Sequence, residues 1–199
     1  GLSSAALAVA LLSSWILFRN EKHLLVWAIG LAAIITSIVL YNSGDGYPTL
    51  LRLPAMVLLV VGFVAIDCGS SLFCARRLSW RLPCAIGVVG VVAVTLLFME
   101  GLSGLATACA NAAVAILMLL TGWRFWVHRH EALLGMGAIA MLYGATALSF
   151  VACAAVLFIE GPAILTARPS SWAEEFNAVA SIVGLTSIGA ISFALMQFR

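Results

Sequence analysis

Asp67 carries the most chemical potential in this chain, because it lies within a long apolar run, in the stretch Val64-Ala65-Ile66-Asp67-Cys68-Gly69-Ser70-Ser71. A carboxylate in hydrocarbon needs a counter-charge, a hydrogen-bond donor or a proton. Such a group could serve as a ligand contact, a proton-responsive switch or an interhelical bond to a group such as Ser70 or Thr121. The plainer reading is a structural hydrogen bond near the cytoplasmic interface, since Asp67 falls about two turns from the end of its helix. Asn111 sits in the middle of another apolar run, where its amide is costly against lipid and is expected to face the bundle, as helix glue or as a ligand contact. A third candidate is Ser171-Trp172-Ala173-Glu174-Glu175-Phe176-Asn177, in which Ser171 precedes Glu174 at capping-box spacing and the acids suit the positive end of a helix dipole. It reads as a helix cap with an interfacial Trp. If a small molecule enters from that side, it also forms a rim with the loop from Tyr41 to Thr49. The candidate ligand-binding or switch residues are therefore Asp67, Asn111, Trp172, Glu174, Glu175 and Asn177.

Other chemistries lack their residues. His23, His128 and His130 map to one membrane edge, where solvation is expected, so a haem held between facing helices has no ligands. The five cysteines, Cys68, Cys74, Cys84, Cys109 and Cys153, form no C-x-x-C pair and are odd in number, and they read as small apolar helix residues rather than a disulfide framework or a zinc site. The only lysine is Lys22, in a gap between apolar runs, which excludes a Schiff-base retinal site in the last helix. No Ser/His/Asp set, H-E-x-x-H or phosphate loop occurs, so this segment is expected to be non-enzymatic, without metal or cofactor. Trp123-Arg124-Phe125-Trp126 reads as an aromatic and basic membrane anchor, and no nucleic-acid partner is implied.

These residues must be positioned by membrane helices. Hydrophobic residues make up 64% of the chain and charged residues 9%, which excludes an ordinary water-soluble domain. Apolar runs near twenty residues without period-2 alternation satisfy their backbone groups in lipid only as helices. The fold expected is all-α, a single domain over residues 1–199 with seven spans at about 2–18, 24–41, 51–74, 83–99, 102–121, 132–159 and 176–198. With the N-terminus outside, Arg19, Lys22, Arg76, Arg77, Arg81, Arg124, Arg129 and Arg199 fall on the cytoplasmic side, against Arg52 and Arg168 opposite, so the C-terminus is expected to be cytoplasmic. Basic residues follow the first span rather than precede it, which argues for a retained helix rather than a cleaved signal. The chain starts at Gly1 rather than Met, and further residues are expected ahead of it. Small residues recur at four-residue spacing, as in Ala6, Ala10 and Ser14, Ala140 and Gly144, and Ala180 and Gly184, a pattern that lets helices approach closely. One carboxylate, one Asn and no Pro in any span centre undersupply a transporter of polar solutes.

The stretch Leu24-Leu25-Val26-Trp27-Ala28-Ile29-Gly30-Leu31, then Gly62-Phe63, Gly69 and Phe73 ahead of Arg76-Arg77, resembles the N-terminal membrane sensor regions of bacterial diguanylate cyclases. The ending Ser187-Ile188-Gly189-Ala190-Ile191-Ser192-Phe193-Ala194-Leu195-Met196-Gln197-Phe198-Arg199 is similar to their final helix. What the resemblance implies is a multi-pass input module of the bacterial inner membrane, a homodimer, that detects a small ligand or the state of the bilayer. It would relay the change through Gln197 and Arg199 to a cytoplasmic GGDEF domain making cyclic di-GMP. These residues contain no GGDEF segment, so cyclase activity is not expected of them. The competing expectations are a small transporter and a non-catalytic membrane assembly subunit.

Overall fold

A computed structural model describes residues 21–42, 49–75, 77–159 and 164–165, together with Trp172, Phe176, Asn177, Val179, Ala180, Ser181, Val183, Gly184, Ser187, Ile188, Gly189 and Ile191. The first expected span and the residues Glu174, Glu175, Gln197 and Arg199 lie outside the described residues.

Five long helices follow one another: α1 (Lys22–Asn42), α2 (Thr49–Ala75), α3 (Arg81–Met99), α4 (Ser103–Val127) and α5 (Leu133–Ile159), with one 3-10 turn at Arg129–Glu131. No strand occurs among the described residues. All five are long and apolar enough to cross a membrane. At about 1.5 Å per residue, the 27 residues of α2 extend for about 40 Å, more than the roughly 30 Å of a hydrocarbon core, so α2 tilts or protrudes. Large apolar side chains also cover the outside: Val88, Val89, Val92, Leu96 and Met99 are all exposed on α3. In water such a face would drive association, whereas against lipid tails it is matched to its solvent. The protein is thus a helical, multi-pass membrane protein. Trp172 and the described residues of the expected last span, from Phe176 to Ile191, are also helical.

Packing alternates in direction. On the α1–α2 seam a Cβ added to Gly30 would lie 2.8 Å from the carbonyl oxygen of Gly62, and Trp27 packs against Gly69. The Ser37 hydroxyl closes the far end of that seam by donating to the carbonyl of Ala55 (2.6 Å). These glycines are the ones that carry the sequence resemblance, and here Gly30 and Gly62 let two backbones meet while Gly69 makes room for the Trp27 indole. α3 turns into α4 through Gly101, the left-handed residue (φ 78°) of a Schellman cap in which Leu102 N–H donates to Leu97 O and Gly101 N–H to Phe98 O. α2 and α4 are the most buried helices and lie side by side in parallel, Met56 meeting Thr107 and Asp67 meeting Thr121. α5 runs antiparallel to α4, with Gly122 against Ala140 and Tyr143. The Ala140 end of that small-residue stripe therefore packs within the chain. Gly184 of the last stretch meets Thr146 of α5.

The alternation gathers Lys22, Arg77, Arg81, Arg124 and Arg129 at one end of the bundle and Arg52 and Glu100 at the other. At the basic end the connectors are tied down. The Ser71 hydroxyl donates to Cys68 O and accepts from the Ser79 backbone N–H, which holds the α2–α3 link to α2. Arg129 lies over the ring of Trp126, 4.0 Å from its centroid, and donates to the Trp126 carbonyl.

Candidate functional site

Helix geometry puts Asp67 of α2 level with the last two turns of α4. Its carboxylate is fully buried, and oxygen Oδ1 accepts from the Thr121 hydroxyl (3.0 Å) and from Nε of Arg124 (3.0 Å). Thr121 has one hydroxyl proton and also reaches the Leu117 carbonyl at 2.9 Å, so its proton is shared and Arg124 is the principal donor. The second oxygen, Oδ2, is buried with no hydrogen-bond partner. The pair is monodentate where an Arg fork could serve both oxygens. The Arg124 side chain is 17% exposed and that of Asp67 is 0%, so one charge reaches the interface and the other does not.

Around this pair lies a polar and aromatic layer. The Ser70 hydroxyl donates to Ile66 O and accepts from the Trp27 indole N–H (3.2 Å), and Tyr143 of α5 interacts with the Ser70 side chain. Five buried rings connect four helices through their edges and faces: His23 and Trp27 of α1 (5.2 Å between centroids), Trp27 and Phe73 of α2 (5.4 Å), Phe73 and Phe125 of α4 (5.9 Å), and Phe125 and Tyr143 (5.9 Å). α1, α2, α4 and α5 therefore share one aromatic layer at the basic end, and the Asp67–Arg124 ion pair lies beside it.

Several sequence expectations meet this geometry differently. Asp67 bonds Thr121 as expected, while Ser70 points to α1 and α5 instead. Arg124, read from sequence as a cytoplasmic anchor beyond the span, lies inside α4 and is the counter-charge; hydropathy ended the span at Thr121, but the helix continues to Val127. Its spacing of three from Thr121 was the available signal, since it puts both on one helix face. His23 is not solvated at the edge: it is buried, with its ring edge-on to Trp27 and to Phe73. Asn111 is half-buried and donates to Thr107 O of its own helix (3.1 Å), so it bonds within α4 rather than gluing helices together. Asn177 is brought to α5, where its Oδ1 accepts from the buried Ser149 hydroxyl (2.7 Å), and Trp172 is exposed. Asp67, Asn111 and Asn177 therefore belong to three separate contacts. Cysteines on different helices also meet, with Cys68 beside Cys84. Neither a protein-family model, nor a curated protein, nor a solved structure matches the chain.

Proposed function

We propose that this bundle is a membrane-embedded signal-input domain that converts ligand binding or membrane state into a change of helix packing. The change would pass through the last helix to a cytoplasmic output domain, for which the sequence resemblance favours a diguanylate cyclase. The observation that carries the reading is the half-satisfied Asp67: α4 supplies donors to Oδ1 while Oδ2 has none. A buried ion pair often adds little net stability, and in this reading Asp67–Arg124 serves to favour one packing over another. A small slide of α4 along α2 that offered Oδ2 a second guanidinium N–H would exchange one packing for another of similar energy. A ligand that favours one of the two by about 1.4 kcal/mol shifts their ratio tenfold.

In this reading the basic end is cytoplasmic, which the excess of Lys and Arg there supports, the membrane is the bacterial inner membrane, and the module works as a homodimer. The polar contact between Asn177 and Ser149 supports the relay, because it ties the last stretch of chain to α5 and so to the aromatic layer.

The deciding experiment uses the complete gene product. The coding frame is read beyond Arg199, and output is measured in membranes for the parent and for Asp67→Asn. A signalling domain after a short helical linker, with cyclic di-GMP production changed several-fold by Asp67→Asn in protein shown to be folded, is the expected result. Unchanged output in Asp67→Asn, Arg124→Gln and Trp172→Ala together would overturn it. Asp67-dependent solute flux in liposomes would put the transporter reading first.

A further inference from the structure

α2 and α3 pack antiparallel along a seam lined by small residues of α3. A Cβ added to Gly87 would lie 2.5 Å from Val64 Cγ2 and 3.8 Å from Val64 Cβ, whereas one added to Gly90 would meet Val60 only at ordinary contact distance (3.7 Å) and be tight against Ala113 of α4 (2.8 Å). One turn further toward the basic end, the register set by Gly87 against Val64 puts Cys84 of α3 opposite Cys68 of α2. The two side chains are neighbours, and both thiols are free. Helix axes usually stay 8–10 Å apart, too far for most facing cysteines, but a glycine-lined crossing draws backbones toward the roughly 4.4–6.8 Å Cα separation that a disulfide needs.

The two thiols differ in access. Cys68 is buried. Cys84 is half-buried, in the first turn of α3, among the exposed Arg81, Leu82 and Ala85 at the bundle end. A small oxidant arriving from the interface meets Cys84 first.

We propose that Cys68 and Cys84 form a redox modification site whose oxidant is a hydroperoxide. The Cys84 sulfur, having lost its proton, attacks the terminal peroxide oxygen; the O–O bond breaks and the leaving oxygen takes up that proton to depart as water or an alcohol. Cys84 is then a sulfenic acid. The Cys68 sulfur attacks the Cys84 sulfur, the S–S bond forms, and the displaced hydroxyl leaves as water with the Cys68 proton. Two electrons and two protons pass from the thiols to one hydroperoxide. The disulfide staples α2 to α3 next to Asp67, so it would restrain the helix that carries the buried ion pair. The inference does not depend on the signalling reading.

The test uses the whole protein in lipid nanodiscs with hydrogen peroxide as the probe. Free thiols are counted by a maleimide mass tag after denaturation, and peptides are mapped by mass spectrometry without reduction. The expected result is loss of two of the five thiols, a peptide pair joined through Cys68 and Cys84, and full recovery with dithiothreitol. In Cys68→Ser, peroxide should leave Cys84 trapped by dimedone with no bridge within the chain. Retention of all five thiols, a bridge that uses another cysteine, or Cys84 oxidised while Cys68 stays free would overturn the proposal, and the parent protein alone distinguishes these results.

Discussion

Arg124 and Asp67 differ in where each charge would go if its partner were removed. The guanidinium of Arg124 is partly exposed and can extend to the interface on its apolar stem, whereas the Asp67 carboxylate has no route to water. Asp67→Asn should therefore cost about 1 kcal/mol, the scale of one hydrogen bond. Arg124→Leu, which strands a buried carboxylate, should cost about 3–5 kcal/mol. Denaturant or heat unfolding in detergent or lipid checks this order; equal losses would mean that Arg124 is as confined as its partner. The carboxylate was legible in the sequence because a single acid in an apolar run stands out. Its counter-charge was not, because an Arg between two Trp residues has the composition of a membrane anchor whichever way its side chain turns. His23 was misread for a related reason. Adjacent to Lys22 it looks solvated, and only the fold brings Phe73 of α2 against the ring it already offers to Trp27 four residues on.

Helices here are defined by apolar runs but meet through glycines. At Gly62 an added Cβ would lie 2.6 Å from Ile34 and 2.9 Å from the Gly30 carbonyl oxygen, so Gly62→Val should destabilise the α1–α2 pair by about 1–3 kcal/mol or more. Gly137 of α5 has no atom within 4 Å of the same position, and Gly137→Ala should be neutral or stabilise by about 0.5–1 kcal/mol. Paired unfolding measurements on the two variants separate close packing from helix propensity. The extents of α1, α2, α3 and α5 were readable to within about two residues, since hydropathy and helix length agree when lipid is the only solvent. α4 was not, because Trp123, Arg124 and Trp126 are interfacial residues that continue a helix after the hydrocarbon has ended. Hydropathy reports the solvent and hydrogen bonding reports the helix, and the two part company at that boundary. The direction of Asn111 was beyond sequence for a different reason. A helical Asn can donate to the carbonyl four residues back, and nothing local decides between that bond and one to a neighbouring helix.

On the scale of the whole molecule, charge distinguishes the two ends, and the alternation of the helices makes that asymmetry a single global property. Glu131 lies at the basic end and Glu100 at the opposite end, and both are exposed. In intact cells a membrane-impermeant maleimide should modify Glu100→Cys and should modify Glu131→Cys only after permeabilisation; the reverse pattern would invert the proposed orientation. That basic residues fall on alternate gaps was plain in the sequence, and it predicts an orientation without any knowledge of packing. Which helices are central was not, because α2 and α4 are no more apolar than α3, which faces mostly outward. Their parallel pairing also sets an order on biogenesis. Asp67 and Arg124 are 57 residues apart, so at a synthesis rate of about 5–20 residues per second the acid precedes its counter-charge by roughly 3–11 s. During that interval α2 emerges with a carboxylate that has no cation to meet it, and α3 must cross in the opposite sense before α4 can begin. The ion pair is thus completed late in synthesis, only once the end of α4 is available to meet α2.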